Sequence, residues 1–228
     1  MANSNSYIKL SPNKLISIVF SGKYAHAPES LLKEHGYKQA IILEQTHSDK
    51  IVTVKSSKQL VFSGYDGSIT ELSSLPLIIK TADCVPIFIT NKTGSVIVAL
   101  HSGLKGTIAN IVGKATQILL NKYKLKKSEL LYFIGPCIHA CCYEVGPEIK
   151  NQISTLNISD RILTPNKTGK YMLDLVKFNQ QLIKNIGIKA SQITTINLCT
   201  GCNKDLFYSY RKRKDTERMY SFIVKNEN

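Results

Sequence analysis

The pair of residues with the clearest chemical use is Cys84 and His101. Cys84 closes the run Thr81-Ala82-Asp83-Cys84, and His101 opens His101-Ser102-Gly103-Leu104-Lys105-Gly106. Between them, residues 85–90 and 95–100 read as two apolar strands joined by a turn at Asn91-Lys92-Thr93-Gly94. Paired as a hairpin, they bring the thiol and the imidazole to the same end. Such a pair serves either as nucleophile and base or as two ligands of a metal. His47 lies in the connection Thr46-His47-Ser48-Asp49, between β-rich runs at 39–45 and 50–55, and so at a third strand end. His47, Cys84 and His101 together offer an N/S/N donor set. Three protein ligands with a fourth position open is the pattern of catalytic zinc. Thiolate and imidazole suit zinc or copper and do not suit magnesium.

The elements that must position these residues follow from periodicity and punctuation. Residues 15–20 form an apolar run read as the first strand, followed by a loop over Ser21-Gly22-Lys23-Tyr24. Residues 28–35 read as a short helix, with Pro28 in its first turn and Gly36 just past its end. Gly64-Tyr65-Asp66-Gly67 is a turn and 75–80 the strand leading to Thr81. After a small-residue loop at 102–106, the apolar face Ile108, Ile111, Val112, Ala115, Ile118 and Leu119 predicts one helix over 107–123. Residues 130–134 read as a buried strand, and a helix opens near Gly146-Pro147-Glu148. Asp174 caps a helix over 175–186 that Gly187 closes, and strands follow at 192–198 and 219–224. Strands alternating with a few helices, with no repeat or low-complexity linker, predict a mixed α and β fold layered around a sheet. Residues 1–228 read as one domain, long enough for a sizeable core.

Composition narrows the partners. The formal charge is +14, but all but Arg161, Arg211, Arg213 and Arg218 of the 30 basic residues are lysines, scattered through both halves. That distribution reads as a solvated surface attracting small anions such as phosphate, not as a nucleic-acid groove. No run reaches the ~18 apolar residues of a membrane span, and the first residues lack the apolar core of a signal peptide. The expectation is a cytoplasmic protein, a monomer or a homodimer, with no membrane or nucleic-acid partner.

Other candidates carry less. Cys199-Thr200-Gly201-Cys202 is a CxxC that Cys137, Cys141 and Cys142 could complete into a four-cysteine zinc site. Cys137-Ile138-His139-Ala140-Cys141-Cys142 is not a second CxxC, so the reading adopted is buried thiols. His26, His35 and His139 read as surface or satisfied histidines. Ser209-Tyr210-Arg211 places one of few arginines beside aromatics, which suits planar recognition of an anion.

Five blocks in order resemble a family: QTH at 45–47, TADCVPI at 81–87, HSGLKGT at 101–107, IGPCIHACCYEVG at 134–146, and the 199–219 stretch with its FYSYRK core. The chain from Gln39 to Val224 resembles the bacterial laccase-domain (YfiH-like) proteins. These are labelled polyphenol oxidoreductases and were later recognised as purine nucleoside enzymes, and some are described as peptidoglycan editing factors. The resemblance implies an α/β domain similar in fold to the cytotoxic-necrotizing-factor deamidases, with zinc on His47, Cys84 and His101. It implies phosphorolysis of adenosine and inosine to base and ribose 1-phosphate, with adenosine deamination and methylthioadenosine cleavage alongside. Lys23, Gln45, Lys105, Tyr210 and Arg211 are the residues carried over as contacts to nucleoside and phosphate. Two departures stand out. The family's HAGWRGT is HSGLKGT here, so Leu104 and Lys105 replace Trp and Arg, and the family's Gly-rich loop and Asn-Arg helix have no counterpart between Phe20 and Gln39.

Two other mechanisms compete on the residues alone. Without a metal, Cys84 would be a thiolate nucleophile and His101 its base, a scheme that has no need of His47. A multicopper oxidase needs repeated His-x-His motifs; this chain has none, and its five histidines cannot supply a blue-copper centre plus a trinuclear cluster.

Overall fold

The apolar runs are strands buried on both faces, and their alternate residues enter different cores. In the computed structural model, which describes residues 7–23, 27–154, 156 and 158–227, six strands make a mixed sheet. Their order is Ile193–Thr195, Leu130–Ile134, Val85–Asn91, Ile97–Ser102, Gly67–Thr70, Ile51–Val54. The two outermost pairs are parallel and the inner ones antiparallel. Ile87, Ile89, Val98, Leu100, Tyr132 and Ile134 face a core with Val112, Ala115 and Leu119 of helix Ile111–Asn121 and Phe178 and Leu182 of helix Leu175–Asn185.

Their strand neighbours Phe88, Ile97, Ala99 and Phe133 face the other way, onto Ile16, Ile18, Phe20, Leu77, Ile79 and Ile223. Those residues belong to an antiparallel four-stranded sheet ordered Tyr7–Asn13, Ile16–Ser21, Met219–Lys225, Leu77–Thr81. Its outer face, with Val19, Ile78, Phe222 and Val224, is covered by Leu31 and Leu32 of helix Pro28–Glu34. The layering is helices, sheet, sheet, helix. Burial of each such side chain is worth about 1.5–3 kcal/mol, so the period of two along each run dictates the stacking. This is the mixed α and β architecture that the sequence predicts.

Several local expectations are corrected. The first strand is not residues 15–20 but Tyr7–Asn13, an edge strand that Lys9, Ser11 and Pro12 disguise. An edge tolerates Pro12 because a missing N–H there breaks no interior ladder. The turn read at 64–67 ends early: Gly67 begins the strand Gly67–Thr70, whose four small or medium residues are all buried. A Cβ at Gly67 would stand 2.8 Å from Leu100 and 2.9 Å from Ile51, so strands pack on it from both sides. The single helix over 107–123 is two, Leu104–Ile108 and Ile111–Asn121, and the first occupies part of the expected 102–106 loop. Asn110 makes the break, at φ 57° with its side chain accepting from the Gly113 N–H as an N-cap. The strand at 192–198 is only Ile193–Thr195. His35 and His139 are neither surface nor satisfied histidines. Each has a buried Nε2 without a partner among the described residues, and burial lowers the pKa of both. Tyr24 and His26 lie outside the described residues.

Candidate active site

Adjacent strands of the six-stranded sheet end together, and their ends carry the reactive groups. Cys84 precedes Val85–Asn91, and His101 lies near the end of Ile97–Ser102, opposite Pro86 in the ladder. Asp66 precedes the next strand, Gly67–Thr70, and its carbonyl accepts the His101 N–H at 2.7 Å. His47 comes just before the outermost strand, Ile51–Val54. The ligand atoms of His47, Cys84 and His101 all lie within 4.8 Å of one another. The hairpin expected from the sequence forms and brings the thiol and imidazole together.

Asp66, fully buried, organises the group. Its Oδ1 stands 2.7 Å from His101 Nδ1 and accepts the His47 N–H at 2.9 Å. Its Oδ2 accepts the backbone N–H groups of Thr46 and Ser48, at 3.1 and 2.7 Å, and the Ser48 hydroxyl at 2.7 Å. These bonds hold His47 at φ 60°, a left-handed conformation that costs a non-glycine residue energy unless its surroundings impose it. With Nδ1–H of His101 committed to Asp66, Nε2 is the atom left to act as a donor.

Electrostatics follow from this wiring. Burial disfavours the Asp66 charge, yet the hydrogen bonds from His101, Ser48 and Thr46 hold its carboxyl well below the usual carboxylate range. Burial likewise works against the charge on His101, but Asp66 and then Cys84 raise it to about 9. The Cys84 thiol would rise on burial; the hydrogen bonds and charge of His101 and His47 bring it down to about 6. Sulfur and imidazole nitrogens converging with a carboxylate behind one histidine make a donor set that fits zinc or copper.

Behind the hairpin end, Ser102, Thr107 and Asn179 form a buried network. The Ser102 hydroxyl donates to Asn179 Oδ1 at 2.9 Å, and Thr107 Oγ1 donates to the Gly103 carbonyl at 2.9 Å. Gly103 fits between the ligands. A Cβ there would stand 3.0 Å from both Cys84 Sγ and His47 Cδ2.

A cleft of about 770 Å³ opens over the three ligands. Leu104, Ile138, Tyr143 and Leu175 give it apolar walls, and Lys80, Lys105, Arg211 and Arg218 contribute positive charge. Of the other residues proposed from the sequence, Lys105, Tyr210 and Arg211 line it. Gln45 reaches it too, but its carboxamide is taken at both ends by the Lys80 backbone, at 2.8 Å each. Lys23 is not brought to the cleft; its ammonium lies over the Tyr208 ring, 5.2 Å from the centroid. The Arg211 guanidinium lies 4.7 Å over Tyr143 and donates to the Glu144 carbonyl. Asp83, at φ 91°, anchors this wall: its Oδ2 accepts the Arg211 N–H at 2.6 Å and its Oδ1 the Thr200 hydroxyl at 2.7 Å.

Sequence reasoning missed Asp66, Lys80 and Arg218. None of the three had a local signal, and the short strand Gly67–Thr70 behind Asp66 has too little apolar surface to be read as one. The thiol reading also needs correction. Cys141, Cys142, Cys199 and Cys202 form one cluster, with Cys141 and Cys202 exposed, and only Cys137 is a buried thiol apart from it.

Residues 25–226 match the family described as multi-copper polyphenol oxidoreductase laccase. The chain belongs to that family. It is similar to a purine nucleoside phosphorylase of Clostridium acetobutylicum, 37% identical over 85% of this chain and 78% of that one. It is also similar to the purine nucleoside phosphorylase YlmD of Bacillus subtilis, 30% identical over 82% and 71%. The solved structure of the hypothetical protein YfiH of Bacillus licheniformis superposes with a TM-score of 0.92 at 25% identity, over 98% of each chain. YlmD of Geobacillus stearothermophilus superposes with a TM-score of 0.91 at 22% identity, which speaks to the fold. Among the described residues no helix is long and apolar enough to cross a membrane.

Proposed function

We propose that this chain, acting as one domain over its whole length, is a zinc-dependent purine nucleoside phosphorylase. It converts adenosine or inosine and phosphate to base and ribose 1-phosphate. Adenosine deamination and methylthioadenosine phosphorolysis are side activities of the same cleft. The observation that carries the reading is the convergence of His47, Cys84 and His101 at the floor of a cationic cleft. The names of the relatives support the reaction class.

When bound by these three residues, zinc supplies Lewis acidity at the cleft floor. The chain's own residues do the rest. Asp66 keeps His101 in one tautomer and one orientation, and the same carboxylate fixes the loop that carries His47. Leu104, Ile138, Tyr143 and Leu175 bury the flat apolar faces of a purine and exclude water. In phosphorolysis the anion attacks C1′ as the bond to the base breaks and positive charge grows on the sugar. Lys105, with Lys80 and Arg211, concentrates phosphate at the cleft and holds it against that charge. A link to editing of peptidoglycan precursors belongs to this reading as a physiological role. Unchanged stem peptides in a strain lacking the protein would remove it.

One observation favours a second mechanism. Cys84, His101 and Asp66 form a thiolate, imidazole and carboxylate relay in which the sulfur is ionised near neutral pH. A metal-independent hydrolase or deamidase would use this relay and leave His47 idle. The strain invested in His47 at φ 60° argues for the metal.

Phosphate-dependent release of ribose 1-phosphate from adenosine and inosine, assayed beside metal content, tests the proposal. In Cys84→Ala one zinc per chain is expected to disappear together with turnover. Turnover that persists in fully demetallated wild type transfers the function to the relay. Zinc bound without nucleoside turnover overturns the phosphorylase reading.

A further inference from the structure

The four-cysteine cluster lies outside the cleft. Cys141 and Cys142 come from the loop after Ile138, and Cys199 and Cys202 from the CxxC turn. The two loops are laid side by side by a backbone bridge between Cys137 and Cys199. The Thr200 N–H donates to the Cys137 carbonyl at 3.0 Å, and the Cys137 N–H to Leu198 at 3.3 Å. The four sulfurs lie within 4.8 Å of one another. The Cys141–Cys202, Cys142–Cys202 and Cys141–Cys199 separations are 3.3, 3.4 and 3.6 Å. Tetrahedral zinc with Zn–S bonds of about 2.3 Å requires sulfurs about 3.8 Å apart. A disulfide requires about 2.05 Å. The observed separations are far beyond a disulfide and lie a few tenths of an ångström from those of ligands around a common ion.

Two further features are those of a built site. Cys199 Sγ accepts the His139 N–H at 3.4 Å. An amide aimed at the sulfur orients and stabilises a thiolate, as outer-shell donors do for a metal ligand. A Cβ on Gly201 would stand 2.8 Å from both Cβ and Sγ of Cys142, so the loops close only because that residue has no side chain. Without an ion, four sulfurs crowded at a half-exposed surface gain nothing from this closeness.

We propose that Cys141, Cys142, Cys199 and Cys202 hold a second zinc ion in a closed tetrathiolate site. With all four positions filled by protein, the ion is structural. It ties the loop bearing Tyr143 to the segment bearing Tyr210 and Arg211, and the Thr200 hydroxyl passes that anchorage to Asp83, next to Cys84. The zinc staples the wall of the cleft to its floor. The site does not depend on which reaction the cleft performs.

Native mass spectrometry of the full chain, purified with reductant and supplied with zinc, tests the proposal. Cys84→Ala disables the cleft ligands and is expected to retain one zinc per chain. Cys84→Ala combined with Cys141→Ser and Cys202→Ser is expected to hold none. Cobalt in place of zinc should give intense thiolate-to-metal charge-transfer bands in Cys84→Ala that the triple variant lacks. If the triple variant does not fold, the zinc count and cobalt spectrum of Cys84→Ala still decide. A Cys84→Ala chain without zinc, or one lighter by the hydrogens of a disulfide, overturns the proposal, as does equal zinc in both variants. Wild type and Cys84→Ala each holding a single zinc would uphold this site while removing the one in the cleft.

Discussion

Asp66 Oδ1 lies 2.7 Å from His101 Nδ1 while the same oxygen accepts the backbone N–H of His47 at 2.9 Å. One carboxylate therefore sets both imidazoles, one through its ring and the other through its main chain. The two rings meet edge to face, 4.8 Å between centroids.

Asp66→Asn tests this double role. The amide retains shape but loses an acceptor lone-pair set and its charge. Zinc affinity at the cleft is expected to fall about 10- to 100-fold, read by competition with a chromophoric chelator. Unchanged affinity would mean that Asp66 does not position the ligands.

Metal uptake should also be linked to protons. His101 in the metal-free protein keeps its proton up to about 9, whereas Cys84 is already a thiolate above about 6. Zinc binding at about pH 7.5 must expel the His101 proton, so about one proton is released per ion at the cleft. Calorimetry in buffers of different ionisation enthalpy counts it, using a chain whose four-cysteine cluster is already filled. The sign is fixed by the raised pKa: release vanishes as the pH climbs past about 9, and a second proton, from Cys84, joins below about 6.

The same shift has a consequence for stability. A histidine raised above its unfolded value stabilises the fold fully below about 6.5 and loses that contribution as pH rises through about 9. Cys84, whose pKa falls to about 6, gains stability with pH over nearly the same window and offsets this loss in the wild type. It is therefore metal-free Cys84→Ala that is expected to melt earlier at about pH 10 than at about pH 7, with Asp66→Asn flattening the difference. A profile indifferent to Asp66 would assign the alkaline loss to other groups.

Gly103→Ala separates packing at the ligands from folding. Its Cβ would press on Cys84 Sγ and His47 Cδ2 at 3.0 Å. A ligand displaced by a few tenths of an ångström weakens the site, and a loss of about tenfold or more in zinc affinity is expected. Gly103 has ordinary negative φ, so the melting temperature of the metal-free protein should hardly move. A large drop in that temperature would show that Gly103 serves the fold and not the site.

Lys105 offers a gain as well as a loss. Lys105→Ala is expected to raise the phosphate KM, and Lys105→Arg to lower it, because the guanidinium fork contacts a phosphate through two N–H groups. Equal KM values across the three proteins would place the anion elsewhere in the cleft.

How much of this was legible in the chain depends on distance along it. The hairpin could be read because two apolar runs flank a four-residue turn, and that local pattern alone places Cys84 beside His101. The helix cap at Asp174 and the stop at Gly187 were legible for the same reason, since each acts within a turn of its own position. Asp66 was not legible, because Gly67–Thr70 has too little apolar surface to announce a strand and gains its burial from Ile51 and Leu100 on either side. The cysteine cluster was offered by the sequence as one option but not decided there, because Cys141 and Cys199 are far apart in sequence and their meeting depends on the bridge at Cys137. Residue types and local period thus determined the donors and the strands that present them. Tertiary structure alone decided which carboxylate stands behind His101 and which cysteines share a centre, because those neighbours are set by packing between separate strands and loops.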